Sequence, residues 1–144
     1  MIDVGARAIL WPVLAQVVLT LAVWIALYVA RLGEMGRRRI DPQQVATSRL
    51  AAGVLENVAA ADNFRNLFEV PVLFYAVVPL LVLAHAVTGA ELALGWAYVA
   101  LRALHSAIHL SYNRVVHRFL AYAASTLCVF AIWALLGAAL WRQS

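Results

Sequence analysis

Four long apolar stretches set the strongest limit on how this chain can fold. They run over about residues 8–30, 67–87, 92–112 and 119–141, and each is near the ~20 residues with which a helix crosses the hydrocarbon core of a bilayer. Because 65% of the residues are hydrophobic and only 12% are charged, a water-soluble globule could not bury this much apolar surface. The sequence therefore predicts an all-α integral membrane protein, a single domain over residues 1–144 built as a bundle of four transmembrane helices.

The first apolar stretch could also be a secretory signal peptide. Its apolar region of roughly 20 residues exceeds the usual signal core, and no A-x-A cleavage site follows it cleanly. We therefore expect it to be a helix of the mature protein. Two glycines and an Asp-Pro pair follow it, so residues 32–41 are predicted to form a loop.

Arginines are distributed unequally among the connections between the predicted spans. The first connection contains Arg31, Arg37, Arg38, Arg39, Arg49 and Arg65, the third contains Arg114 and Arg118, and the opposite side has only Arg7 and Arg142. Since basic residues accumulate on the cytoplasmic side, the first loop is predicted to be cytoplasmic and both termini to lie on the opposite side of a bacterial inner membrane. This pattern accounts for the net charge of +4, and we expect no nucleic-acid partner.

Polar side chains form three stripes near the predicted cytoplasmic ends of the spans. At 100° per residue, each set below falls on one face of its helix, and Arg65 and Glu69 form an i,i+4 pair. The stripes are Asp62, Arg65, Asn66 and Glu69 in the second helix, Arg102, His105, Ser106, His109 and Asn113 with Tyr112 at the edge in the third, and, if the fourth helix begins early enough, Arg114, Arg118, Tyr122 and Ser125 in the fourth.

Ionisable residues inside spans are costly and usually face the protein interior. One interpretation is that these groups neutralise one another and fix the register of the helices. However, the arginines outnumber the carboxylates in this layer, and unpaired guanidinium groups suit an anionic ligand. We therefore predict an anion-binding pocket that faces the cytoplasm.

Two further expectations follow from the same stripes. A four-helix monomer with polar stripes on three helices has more polar surface than one small interior can enclose, which predicts a homotrimer. His105 and His109 have the i,i+4 spacing of a metal or haem site. They have no nearby cysteine or clear third ligand, so we expect no bound metal.

The order and spacing of these motifs resemble the MAPEG family, the membrane-associated proteins of eicosanoid and glutathione metabolism. The resemblance is carried by N-x-x-E entering span two, R-x-x-H in span three and an arginine opening span four, and it covers essentially the whole chain. It implies a homotrimer that binds glutathione between subunits near the cytoplasmic face. His109 stands where several relatives have a tyrosine, and Phe119 stands where some have a small hydroxyl residue.

The resemblance also implies a role for each matching residue. Asn66 and Glu69 would hold the backbone and amino group of glutathione, Arg65 and Arg102 its carboxylates or the supporting network, and Arg118 would be the catalytic residue at the thiol. His105, His109, Arg114 and Tyr122 complete the predicted glutathione-binding set.

The predicted activity is that of a glutathione-dependent membrane transferase or peroxidase. A guanidinium group beside the thiol would favour the thiolate, which would attack a lipophilic electrophile arriving through the lipid. Its expected partners are the lipophilic substrate, membrane lipids and two further copies of the chain in a homotrimer. The alternative is a non-catalytic lipid-binding or structural membrane protein of the same fold.

Overall fold

The computed structural model describes residues 4–143, and residues 1–3 and 144 of the predicted domain lie outside the described residues. Every regular element in the described range is a helix, which confirms the predicted all-α class. The elements are α1 (Val4–Ala8), α2 (Leu10–Arg38), a 3-10 turn (Pro42–Val45), α3 (Ser48–Val54), α4 (Ala59–Asn66), α5 (Val70–Leu83), α6 (Gly89–Leu110) and α7 (Val115–Gln143).

Helix α2 continues well past the apolar stretch that predicted it, so the expected loop over residues 32–41 is wrong for most of its length. Both glycines of this segment lie inside the helix, where each costs about 1 kcal/mol relative to alanine. An ion pair one turn apart, with 2.7 Å between Arg38 Nη1 and Glu34 Oε1, supports the extension. The helix ends at Arg39, whose φ of 52° is left-handed and whose N–H bonds to the carbonyl of Met35.

The polar segment before the second apolar stretch is helical but broken twice. Side chains of Asp41 and Thr47 cap the 3-10 turn and α3, and non-helical residues 55–58 separate α3 from α4. A second break at residues 67–69 separates α4 from α5, so the helix predicted to run unbroken from residue 67 is wrong there. Pro71 lies in the first turn of α5 and has no N–H for the carbonyl of Leu67, which favours a break at this point.

The apolar core lies where α5, α6 and α7 pack together. The aromatic rings of Phe74 and Tyr98 lie 4.6 Å apart between their centroids, and Val129 and Ile132 of α7 are completely buried against this cluster. Helix α2 approaches α6 at Gly95, where an added Cβ would lie 3.4 Å from the Pro12 ring. The core therefore fixes α6 and α7 side by side, which sets the positions of their polar ends.

Three of the described helical stretches are long and apolar enough to cross a membrane: Ala6–Arg38, Ala59–Leu83 and Val115–Gln143. Most of their surface is not covered by the rest of the chain, which is the arrangement expected for helices in contact with lipid. Helix α6 is 22 residues long but contains the buried polar side chains of Arg102, His105 and His109. The chain is therefore a multi-pass membrane protein with one polar helix in its bundle.

Candidate functional site

A pocket of about 180 Å³ opens where the C-terminal end of α6 meets the first turns of α7. The last residue of α4 closes its third side, so the pocket draws on all three of the predicted polar stripes. Its lining residues are Asn66, His105, Val115, Arg118, Phe119 and Tyr122. Four of them, Asn66, His105, Arg118 and Tyr122, belong to the site predicted from the sequence.

Arg102 is completely buried directly behind this pocket. Its Nη2 donates to the backbone carbonyl of Asn66 at 2.6 Å, and its guanidinium carbon lies 5.3 Å from the centroid of the Tyr122 ring. A cation is favourable at this carbonyl, because it is the last carbonyl of α4 and lies at the negative end of the helix dipole. The Nε and Nη1 atoms of Arg102 have no hydrogen-bond partner among the described residues, so the buried charge is only partly satisfied there.

Arg118 lies in the first turn of α7 and points back to the end of α6. Its Nη1 lies 2.7 Å from Asn113 Oδ1 and 3.1 Å from His109 Nε2. Because a guanidinium can only donate, His109 Nε2 must accept, and this histidine is neutral with its proton on Nδ1. The remaining N–H groups of Arg118 bond to nothing in the described part of the chain and are free for a ligand.

His105 is oriented by the backbone of α7. Its Nδ1 lies 3.0 Å from the carbonyl of Arg118, and since that oxygen can only accept, Nδ1 carries the proton. The other ring nitrogen, Nε2, is buried and has no hydrogen-bond partner in the part of the chain that the structure describes. The rings of His105 and His109 lie 5.6 Å apart, and among residues 4–143 no group of three histidine, cysteine or carboxylate side chains is placed to hold a metal ion.

Glu69 and Tyr122 meet at the edge of the pocket. The Tyr122 hydroxyl donates to Glu69 Oε2 over a long 3.4 Å contact. Glu69 is exposed and lies in the break between α4 and α5, so its carboxylate has room to accept an amino group. The two side chains form the one carboxylate-bearing edge of an otherwise cationic site.

Two residues of the predicted site lie away from this pocket. Arg65 bonds to Asp62, with 3.4 Å between Nη1 and Oδ1, and lines a different cavity. The predicted i,i+4 pair of Arg65 with Glu69 is therefore wrong, because the helix is broken between them. Arg114 lies one residue before α7 and is exposed, and it is not among the residues that line the pocket.

One buried contact of the site was not predicted from the sequence. Asn63 is completely buried and accepts a hydrogen bond from the Ser106 hydroxyl, with 3.1 Å between the oxygens. This bond fastens α4 to α6 directly below Arg102. Asn63 lies three residues before Asn66, on the same helix face, and that spacing was the available signal.

The charges of the site are unbalanced within the described chain. The ion pairs found in residues 4–143 join Arg38 to Glu34 and Glu56, and Arg65 to Asp62. None of them involves Arg102 or Arg118, and the neighbouring His109 accepts from Arg118 and adds no charge. The pocket is therefore cationic and has donors to spare.

A family model matches the chain over residues 9–138, nearly its whole length, and it is the model of the MAPEG family. The chain belongs to the MAPEG family. Its membership makes it a membrane protein of the family associated with eicosanoid and glutathione metabolism, as the sequence motifs predicted. Neither a curated protein nor a solved structure matches it.

Proposed function

We propose that this MAPEG protein binds glutathione at the pocket between α6 and α7 and transfers the glutathionyl group to lipophilic electrophiles. The observation that carries the proposal is the pair of arginines, Arg102 and Arg118, which within residues 4–143 have no carboxylate partner and retain N–H groups without a partner. Unpaired buried charge is costly, and an anionic ligand would satisfy it. Glutathione carries two carboxylates and a thiol that can become an anion.

In this proposal the peptide is held at the rim and back of the pocket. Glu69 accepts the amino group, Asn66 bonds to the peptide backbone, and Arg102 serves a carboxylate or supports Asn66 through the carbonyl that it already binds. Tyr122 and His105 contact the ligand from α7 and α6. Arg65 and Arg114, which the resemblance adds to the set, lie outside this pocket and contribute no contact to the proposed site of one chain.

Arg118 acts on the sulfur. A free thiol is mostly protonated at neutral pH, and an adjacent guanidinium favours the thiolate while keeping its own charge. His109 and Asn113 hold the guanidinium from one side, which leaves its other N–H groups for the sulfur. The thiolate then attacks an electrophilic carbon and forms a sulfur–carbon bond. At the same time the bond from this carbon to a halide or an epoxide oxygen breaks, and the halide or oxygen takes the electron pair. With a lipid hydroperoxide, the sulfur would instead attack the terminal oxygen, so that the O–O bond breaks and the lipid leaves as an alcohol after taking up a proton. The thiol of a second glutathione would then attack the resulting sulfenic acid and release water and glutathione disulfide.

The electrophile would arrive through the lipid. Val115 and Phe119 line the pocket and are largely exposed, 66% and 63% respectively, so the entrance of the pocket presents an apolar surface. Apolar molecules concentrate in the bilayer, and this surface would let them reach the sulfur sideways. The aromatic ring of Phe119 would limit which electrophiles fit.

We further propose that α6 is the fourth span and that three chains assemble into a homotrimer that covers the exposed polar edge at Glu69. Native mass spectrometry in mild detergent is expected to show trimers, and a spectrum that shows only monomers or dimers in every lipid condition contradicts this assembly.

The first loop would be cytoplasmic and both termini would lie on the opposite side of a bacterial inner membrane. A single cysteine introduced at Gln43 is expected to react only with reagents that enter the cytoplasm. If this cysteine reacts only with reagents on the outer side, the proposed topology is wrong.

Calorimetric titration of glutathione into the purified protein tests the proposed function. A matched ligand is the glutathione analogue in which a methyl group replaces the thiol. We expect both to bind, because both have the carboxylates and the amine, and glutathione to bind more tightly, because only it offers a thiolate to Arg118. If neither ligand produces heat, the proposal is wrong. Binding of glutathione without any turnover favours the alternative, a non-catalytic lipid-binding or structural protein.

A further inference from the structure

A second cavity lies at the C-terminal end of α2, away from the glutathione pocket. It has a volume of about 170 Å³ and is enclosed by residues of α2, α3 and α4. Its polar lining consists of Arg31, Ser48, Asn57, Asp62 and Arg65. The two arginines and one carboxylate give this cavity a net charge of +1.

Arg31 contributes an unsatisfied polar group to the cavity. Asp62 is bonded to Arg65, and among the described residues no ion pair joins it to Arg31. The Nε of Arg31 is buried and has no hydrogen-bond partner in the described part of the chain. Since an unpartnered buried donor is costly, the cavity is suited to a singly charged anion.

An apolar groove lies further towards the N-terminus of α2, between α2 and the α4–α5 pair. It has a volume of about 540 Å³ and is lined by Val17, Thr20, Leu21, Trp24, Phe64, Phe68 and Tyr75. Thr20 donates its hydroxyl to the Gln16 carbonyl at 2.9 Å, so it presents no unsatisfied polar group. The rings of Phe64 and Phe68, 5.0 Å apart, form one wall.

The groove and the cavity share one face of α2. The residues that line them recur every three or four positions from Val17 through Trp24 and Leu27 to Arg31, which is the spacing of a single helix face. At 1.5 Å per residue, the part of α2 that lines the groove, from Val17 to Trp24, is about 10 Å long. This is less than half of a ~30 Å hydrocarbon core, so the groove fits within one leaflet, and the charged cavity lies on the side towards the C-terminal end of α2.

We propose that the cavity and the groove together hold one anionic phospholipid, with its phosphate at Arg31 and one acyl chain along the groove between α2 and the α4–α5 pair. The net charge of the cavity favours a lipid with a single negative charge over a zwitterionic one. The length of the groove fits a chain of the same leaflet, and the tryptophan ring of Trp24 lies beside that chain. This site is separate from the glutathione pocket and does not depend on the proposed function.

Quenching of Trp24 fluorescence by brominated acyl chains tests this site. The protein is placed in nanodiscs of unlabelled phosphatidylcholine, and either brominated phosphatidylglycerol or brominated phosphatidylcholine is added in increasing fraction. The chain has five tryptophans, so the signal of Trp24 is taken as the difference from a Trp24→Phe variant. We expect the phosphatidylglycerol to quench Trp24 at a much lower fraction, and inorganic phosphate not to compete, because it has no chain.

Three variants make the result specific. Arg31→Gln is expected to raise the half-quenching fraction of phosphatidylglycerol by about tenfold, as loss of a hydrogen bond to a charged group does. The matched control Arg37→Gln removes an exposed arginine of the same helix end and is expected to change it less than about twofold. Thr20→Phe keeps Arg31 but narrows the groove, so it is expected to abolish selective quenching even if Arg31→Gln does not fold.

Several outcomes overturn the proposal. If the two lipids quench Trp24 equally, the cavity does not select the headgroup. If Arg31→Gln and Arg37→Gln have equal effects, general attraction of the anionic lipid to a basic surface explains the binding. Competition by inorganic phosphate assigns the cavity to a soluble anion. Protection of Trp24 from both lipids means that a second copy of the chain fills the groove.

Discussion

Two polar clusters of this protein differ in how completely their charges are satisfied. The first surrounds Glu34 near the end of α2, and the second surrounds Arg102 and Arg118 between α6 and α7. Each brings buried ionisable side chains together near a broken helix. In the first, both oxygens of the central carboxylate have hydrogen-bond partners. In the second, two nitrogens of the central Arg102 have none within the described chain.

The Glu34 cluster is closed upon itself. Glu34 Oε1 accepts from Arg38 at 2.7 Å and from the backbone N–H of Glu56 at 2.8 Å, and its Oε2 accepts from the N–H of Asn57 at 3.2 Å. Arg38 also donates to the carbonyl of Val54 at the end of α3, at 2.9 Å. These bonds satisfy the backbone groups that the break over residues 55–58 leaves open, so the cluster holds the first loop in shape.

The cluster at α6 and α7 is open by comparison. Arg102 has two unpartnered nitrogens, and His105 has a buried nitrogen that bonds to nothing in the described chain. Its backbone contacts fix where the side chains point but leave their charge uncompensated. The comparison teaches that burial of charge alone does not mark a functional site, whereas burial of charge without a partner does.

Arg118→Ala should have the largest effect on the open cluster. The conjugation rate with a model lipophilic electrophile is expected to fall by about 100-fold or more, which is the usual cost of removing one donor from a developing or bound anion. Glutathione affinity should change less, because the carboxylates and the amine keep their contacts. The matched control is Arg114→Gln, which removes an exposed arginine four residues earlier and is expected to preserve the rate. If Arg114→Gln slows the reaction as much as Arg118→Ala, general surface charge explains the effect.

Glu69→Gln should have an intermediate effect, and on binding first. The amide keeps the shape of the carboxylate but loses the charge that attracts the amino group of glutathione, so the dissociation constant is expected to rise by about tenfold. The rate at saturating glutathione should change little. Calorimetric titration combined with saturation kinetics separates the two, and an unchanged affinity with a reduced maximal rate would move Glu69 from binding to chemistry.

Glu34→Gln should have the smallest effect on the pocket and its main effect on stability. The amide cannot pair with Arg38 as an ion and keeps only part of the bonding to the N–H groups of Glu56 and Asn57, so the melting temperature is expected to fall by several degrees. Glutathione affinity below the melting transition is expected to match that of the wild type. A loss of affinity in a folded Glu34→Gln protein would show that the closed cluster is coupled to the site.

The sequence was sufficient for the helical class and for most of the open cluster. Hydropathy located the long apolar helices, and helical spacing brought together Arg102, His105 and His109 on α6, because these depend on local periodicity. The extension of α2 and the break over residues 55–58 were not predictable in this way. They depend on bonds between Glu34 and backbone groups more than twenty residues later in the chain.

The break before α5 explains the incorrect part of the predicted site. Pro71 was visible in the sequence, and its missing N–H could have indicated that the helix would not run through residues 67–69. An uninterrupted helix would have paired Arg65 with Glu69, whereas the broken one turns Arg65 towards Asp62 and a different cavity. The sequence therefore identified the residue types of the site, but the broken helix decided which of them share a pocket.

The ultraviolet absorbance of the thiolate, recorded when glutathione is added to the protein at neutral pH, tests the central claim most directly. We expect the wild type and Arg114→Gln to develop thiolate absorbance in proportion to bound glutathione, because the uncompensated Arg118 stabilises the anion. Arg118→Ala saturated with glutathione should develop almost none. Thiolate absorbance that persists in Arg118→Ala, or its absence from a wild-type protein saturated with glutathione, would contradict the claim that the open cluster exists to hold a sulfur anion.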